Sequence, residues 1–154
     1  MVLRPEPLFS AVKQAKQNDA RAEVLLMTPR GDTFVQATAS ELTDNGRGKI
    51  FICGRYEGYD ERIITLVDRQ LSVGDYVLTG GEIPAMLITD AITRLIPGVL
   101  GGETSAELES FSDGKTKEHP HYTRPEVYEG LAVPPVLLSG NHAEIDKWRE
   151  QNKL

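Results

Sequence analysis

Few side chains in this sequence are placed to do chemistry. Cys53 closes the apolar run Lys49-Ile50-Phe51-Ile52-Cys53, and a thiolate there could attack an electrophile. No histidine lies near it in sequence to activate it, so a small buried hydrophobe is the favoured reading. His119 and His121 flank Pro120 while His142 stands apart, and no further donor at metal-ligand spacing accompanies them, so no metal site is read. A denser candidate follows Cys53 directly. Gly54-Arg55-Tyr56-Glu57-Gly58-Tyr59-Asp60-Glu61-Arg62 packs charge beside two glycines at the end of a run that reads as a buried strand. Loops in that position build binding sites, and the plain alternative is a solvated loop. Arg94 ends an otherwise apolar helical run, where a cation either stabilises an anion in a cleft or satisfies the helix end.

The other candidate is backbone rather than side chain. In Ser72-Val73-Gly74-Asp75-Tyr76-Val77-Leu78-Thr79-Gly80-Gly81-Glu82-Ile83-Pro84-Ala85 an apolar stretch runs into a glycine pair and then a helix start. Without side chains at Gly80 and Gly81 a ligand can lie against the main chain, and Pro84 suits a first helical turn because its missing N–H would be unpaired there. A bare strand-to-helix turn would look the same. Neither a P-loop nor a G-x-G-x-x-G pattern is present, so a triphosphate is not the expected ligand.

The elements that must position these groups alternate. A helix is predicted from Pro5 to Gln17 on the Leu8, Val12, Ala15 stripe, and a strand over Glu23–Met27 ends at Thr28-Pro29-Arg30-Gly31. Thr38-Ala39-Ser40-Glu41 matches a capping box and predicts a short helix stopped at Asp44-Asn45-Gly46. Lys49–Cys53 is the second strand, Asp60 can cap a helix through Val67, and Asp75–Thr79 is the third strand. The helix predicted from Pro84 to Ile96 is apolar on most sides, so it needs cover beyond one sheet, which a second subunit could supply. Strand–helix alternation argues for α/β architecture with a mainly parallel sheet and flanking helices. From Gly102 to about His121 the composition reads as a linker of low order, Val133–Leu138 reads as extended, and Ser139-Gly140-Asn141 precedes a last helix from His142.

Composition sets limits on partners. A formal net charge of -6 disfavours non-specific nucleic-acid binding, so any RNA contact must be local. No apolar run approaches the roughly 20 residues needed to span a bilayer, which predicts no membrane partner. One cysteine and an N-terminus without an apolar signal core predict a reducing, cytoplasmic setting.

The segments Gly54–Arg62, Val73–Pro84, Arg94 through Ile96–Gly101, Pro120-His121-Tyr122-Thr123-Arg124-Pro125-Glu126 and Pro134–His142 together resemble the bacterial tRNA (guanine-N1)-methyltransferases of the TrmD type, in the SPOUT superfamily. The resemblance spans nearly the whole chain. It implies a deep trefoil knot and three loops that hold S-adenosylmethionine in a bent form. Those loops map onto Leu26, Met27, Thr28 and Pro29, onto Gly54, Tyr56 and Glu57, and onto Val73, Gly74, Tyr76, Val77, Leu78, Gly80, Gly81 and Pro84. It also implies a homodimer, with residues 1–101 as the methyltransferase core, 102–118 as a flexible linker and 119–154 as the start of a helical C-terminal domain. The implied reaction methylates N1 of the guanosine just 3′ of the tRNA anticodon. Guanine N1 carries a proton and is a poor nucleophile, so a carboxylate must take that proton while a cation balances charge on O6. Arg94 matches the family arginine in the second role. Glu109 stands where the family normally has an aspartate base, with Glu107 and Asp113 as lesser candidates. Arg55, Asp60, Ser105, His121 and Arg124 are the implied substrate contacts, joined by Lys115, Lys117 and His119 as local RNA contacts; Mg2+ assistance is left open. The family's glycine-rich loop and first strand before Met1, and its further helices after Trp148–Gln151, are not in this sequence. A catalytically weak or inactive S-adenosylmethionine-binding module is therefore the alternative function.

Overall fold

A computed structural model of the chain describes residues 1–101 and 109–154. It divides into two compact units, Met1–Glu103 and Thr104–Leu154. In the first unit the order is α1 (Pro5–Ala15), β1 (Glu23–Thr33), α2 (Gln36–Asp44), β2 (Lys49–Cys53), a 3-10 turn (Glu61–Leu66), β3 (Arg69–Ser72) and α3 (Glu82–Thr93). The strands form a three-stranded parallel sheet in the order β2-β1-β3.

Central β1 explains the arrangement. Its residues 23–28 are buried without a break, as expected for a strand covered on both faces. Alternation sends Val24 and Leu26 to one side, with Val12 of α1, Ile52 and Ile63, and sends Leu25 and Met27 to the other, with Leu42 of α2 and Ala85 and Ile88 of α3. Helices therefore cover both faces of the sheet. Glu23, only 3% exposed at the strand start, is held by Lys49 at 3.4 Å, Arg69 at 3.0 Å and Asn45 at 2.9 Å, so its charge is met by two cations and one amide donor.

Past Met27 the pairing with β3 slips: Met27 and Asp32 both face Leu71, and Thr28–Gly31 bulges away from the sheet between them. At the other edge Asp60 caps the 3-10 turn through the Arg62 amide at 3.0 Å and binds the Arg62 guanidinium twice at 2.8 Å. These bonds to the charged form, the Arg62 side chain first, hold the Asp60 carboxyl at about 2, against an ordinary value of 3.8. Its contribution to stability is therefore complete above the ordinary value and disappears as pH falls through about 2. Carbon-detected NMR titration of Asp60 should give a midpoint near about 2; in Arg62→Ala the midpoint should return toward the ordinary aspartate range, and an unmoved midpoint would remove Arg62 as the cause.

Several expectations are corrected. The third strand is Arg69–Ser72, and Asp75–Thr79 is loop with Tyr76, Val77 and Leu78 exposed, because the chain leaves the sheet at Val73–Gly74. Helix α2 starts at Gln36 with Val35 as its N-cap, so Thr38 lies inside the helix and forms no capping box. The last helix of the first unit ends at Thr93 rather than Ile96.

In the second unit β4 (Val127–Tyr128) and β5 (Leu131–Ala132) form an antiparallel hairpin, followed by α4 (Pro135–Leu138) and α5 (His142–Gln151). The hairpin turns on Glu129 and Gly130, both at positive φ. Val133–Leu138 is not extended throughout: Pro135 opens the short helix α4, as a proline can at a first helical position. Asn141 caps α5 by accepting from the Glu144 amide.

Candidate functional site

At Met27, where β1 enters its bulge, and at the C-terminal ends of β2 (Cys53) and β3 (Ser72) the chain leaves the sheet, and a cleft of about 500 Å³ opens there. Open parallel sheets place ligands at such carboxyl ends. The first wall is Met27, Thr28, Pro29 and Arg30 from the β1 bulge. The second is Gly54–Tyr59 with Glu61 after β2. Leu71–Gly74, Tyr76–Gly81 and Pro84 make the third, running into α3.

The second and third walls are tied. Gly81 N–H donates to the Gly54 carbonyl at 3.0 Å, Arg55 and Gly80 form an isolated backbone bridge, and Arg55 Nε donates to Glu82 Oε1 at 2.7 Å. That last bond lowers the Glu82 carboxyl below its ordinary range. Gly81 sits so close to β2 that a Cβ would lie 2.7 Å from the Cα of Cys53, so glycine is required for the loop to pass. Burial pushes the Cys53 thiol up, with the Glu82 charge adding to the effect, which removes it further from nucleophile chemistry.

Every donor-binding residue expected from the sequence lines this cleft except Leu26, which is fully buried in the core facing α1 and can offer only backbone. Arg55 lines it as well. Asp60 does not, being engaged by Arg62. Arg94 is the C-cap residue of α3, its N–H donating to the Asp90 carbonyl at 3.1 Å. Of the remaining charged and aromatic wall residues, Tyr59 and Glu61 belong to the Gly54–Arg62 loop read as a candidate site, and Arg30 alone was missed. Arg30 had no signal beyond a turn cluster.

In the second unit His121 and Arg124 meet at a smaller cleft of about 340 Å³ with His119, Tyr122, Trp148 and Arg149. The rings of His119 and Tyr122 stand edge-on to Trp148 at 6.3 and 6.2 Å. Glu109 is half-buried, and its carbonyl accepts from the Ser112 amide at 3.1 Å. Asp113 accepts from Lys115 N–H and from the Thr116 amide and hydroxyl; these bonds, the Thr116 hydroxyl first, hold its carboxyl at about 2 and make it a poor proton acceptor. Ser105 and Glu107 lie outside the described residues. Among the described residues no group of three or more His, Cys, Asp or Glu could hold a metal ion, and no helix is long and apolar enough to cross a membrane.

A helix-covered parallel sheet with a loop-built cleft at its strand ends defines an α/β protein with its cleft where open parallel sheets place ligands. The chain belongs to the family described as tRNA (Guanine-1)-methyltransferase TrmD, whose model matches residues 1–154. It is 54% identical over 154 residues to a tRNA (guanine-N(1)-)-methyltransferase of Myxococcus xanthus (strain DK1622), covering 100% of this chain and 62% of the relative. A protein of the same name from Staphylococcus haemolyticus (strain JCSC1435) is 57% identical over 155 residues, with 100% and 62% covered. One from Desulfatibacillum aliphaticivorans is 54% identical over 155 residues, with 100% and 58% covered. The chain thus spans about three fifths of the length of the curated relatives it matches.

Proposed function

We propose that the chain transfers the methyl group of S-adenosylmethionine to N1 of the guanosine 3′ to the anticodon, position 37 of tRNA. The observation that carries this reading is identity of 54% and 57% along the whole chain to relatives named for guanine-N1 methylation of tRNA. The cleft suits the donor chemically. Exposed Tyr76, Val77 and Leu78 give apolar flanks for an adenosine, and the backbone of Thr79 and Gly80 lines the same wall for a purine edge, the amide and carbonyl of Gly81 being engaged by Gly54 and Ala85. When bound, S-adenosylmethionine supplies a methyl group on a sulfonium centre. Glu109 takes the N1 proton of guanine, and the Arg94 guanidinium balances the charge that develops on O6. Arg55, His121 and Arg124, with Lys115, Lys117 and His119, supply the local positive contacts to RNA, and Ser105 belongs to the same set. In this reading the three walls are the loops of a trefoil knot, residues 102–118 link the core 1–101 to a C-terminal domain beginning at 119, and the setting is the cytoplasm.

Radiolabelled methyl transfer to tRNA with guanosine at position 37, against the same tRNA with adenosine there, tests the proposal. Incorporation only with guanosine is expected. Donor binding without incorporation would instead establish an inactive binding module. The same assay with a chelator reads any dependence on Mg2+.

A homodimer is part of this reading, supported by α3. Ala85 and Ile88 are buried against the sheet, while Ile83, Met86 and Leu87 on the same helix stand 62%, 71% and 45% exposed. Placing a carboxylate in that patch with Met86→Glu should convert a dimer to a monomer in sedimentation velocity with the circular dichroism spectrum retained. A variant that stays dimeric would exclude α3 from the interface.

A further inference from the structure

The chain that follows Glu109 is a closed turn, and burial does not hold it. Residues 111–115 are exposed, so their conformation has to come from hydrogen bonds. Asp113 stands at the centre of these. Its Oδ1 accepts from the Lys115 amide at 2.9 Å and the Thr116 amide at 2.7 Å, and its Oδ2 accepts from the Thr116 hydroxyl. A short carboxylate that takes main-chain N–H groups two and three residues on is a local device for fixing a turn. With Thr116 so placed, its carbonyl accepts from the Phe111 amide at 2.7 Å and folds the segment back on itself. Two further bonds tie in the ends: the Ser112 amide donates to the Glu109 carbonyl at 3.1 Å, and the Glu118 amide donates to Ser110 Oγ at 3.0 Å.

The turn also carries strain. Phe111, two residues after Glu109, has φ at 66°, in the left-handed region that a bulky side chain disfavours. Such a conformation persists only where its surroundings over-determine it. Here both backbone groups of Phe111 are engaged, its N–H by Thr116 and its carbonyl by the Gly114 amide at 2.9 Å. The bonds to Asp113 end on an ionised acceptor and are roughly twice as strong as neutral ones, which suits them to hold this shape in water. A general base must lie within hydrogen-bond reach of the proton it takes, so whatever fixes the chain at Glu109 bears directly on rate.

We propose that Asp113 is the positioning residue for Glu109, closing the turn from 109 to 118 so that the base is held at a fixed point of the chain. The assignment rests on the reading that Glu109 takes the N1 proton of guanine. It gives Asp113 a part that its bonds support, in place of the proton-accepting one that they oppose.

Single-turnover methyl transfer at saturating tRNA, donor calorimetry and amide-proton exchange by NMR test it on the full chain. Asp113→Ala should slow transfer on the order of a hundredfold, the scale of a displacement near 1 Å, with affinity for S-adenosylmethionine within about twofold. The Phe111 and Ser112 amides should exchange on the order of tenfold faster in that variant, the scale of a lost hydrogen bond to a charged group. Asp113→Asn keeps an oxygen for both amides and should recover most of the rate. In a Glu109→Gln chain, Asp113→Ala should bring no further loss, because the residue it positions no longer takes the proton. Thr116→Val removes one donor and leaves the carboxylate; it should shift rate and exchange the same way by less, and carries the test should Asp113→Ala fail to fold. Unchanged exchange would show that the turn closes without Asp113. Equal losses in the wild-type and Glu109→Gln chains would show that Asp113 acts by another route, and Asp113→Asn as slow as Asp113→Ala would show that the turn's oxygen acceptor is not what matters. Each of these overturns the assignment while Glu109 remains the base. A Glu109→Gln chain as fast as wild type, or a wild-type chain that transfers no methyl group, overturns the reading of Glu109 and this assignment with it.

Discussion

Gly31→Ala should destabilise the chain by about 3 kcal/mol, the upper range for forcing extra atoms into a packed interior. At Gly31 the β1 bulge rejoins the sheet, and a Cβ there would lie 2.6 Å from the Gln70 carbonyl oxygen and nearer still to the Leu71 backbone nitrogen. These are β3 main-chain atoms, not the mobile ends of side chains. Leu71 pairs with Met27 before the bulge and Asp32 after it, so β3 cannot withdraw from the methyl group without breaking the ladder on both sides. Urea unfolding followed by circular dichroism should show the midpoint falling. Because Thr28, Pro29 and Arg30 belong to the same bulge, affinity for S-adenosylmethionine should fall in the same variant even where it remains folded. An unchanged midpoint would mean that the first wall is anchored by something other than this close approach.

The second large effect concerns the proton. In the proposed role of Glu109 as base, Glu109→Gln preserves the length and shape of the side chain and removes its ability to accept a proton, so single-turnover methyl transfer should fall about 10²–10⁴-fold, while calorimetric donor affinity stays within about twofold because the exchange changes proton acceptance and not side-chain shape. Parallel loss of binding and rate would deny it the role of base. The companion change Glu109→Asp shortens the carboxylate arm by one methylene and restores the residue type the resemblance leads one to expect. It should raise the rate. A fall would show that the chain around Glu109 is adapted to the longer side chain, since a displacement near 1 Å can cost on the order of a hundredfold.

How legible this protein was in its sequence varied with what stabilised each part. Strand β2 could be bounded to the residue, because an apolar run between Gly48 and Gly54 has few other ways to fold. The Asp60 cap was also visible, being a local bond between a carboxylate and an amide two residues on. Strand β3 was not. Arg69-Gln70-Leu71-Ser72 carries one large apolar side chain, and its strand conformation comes from pairing with β1, a partner about forty residues earlier that local pattern does not report. The apolar cluster Tyr76-Val77-Leu78 read as the missing strand because burial is the usual fate of such residues; here they are exposed on a cleft wall instead. The two glycine-bearing loops of the site were found from their composition. Arg30 escaped notice because its meaning depends on Tyr59 and Glu61, which only the folded chain brings to it.

The close passage of Gly81 over β2 bears on how this cleft could be inhibited and how inhibition could be evaded. An inhibitor that bonds to the main chain of the third wall presents no side chain to mutate at that position. Added atoms are excluded at residue 81, where a methyl group would lie 2.7 Å from the Cys53 Cα, whereas at residue 80 they would meet only the side chains of Glu82 and Arg55. Substitution at Tyr76, Val77 or Leu78, exposed on the same wall, is a further route, and it alters the surface proposed to flank the adenosine.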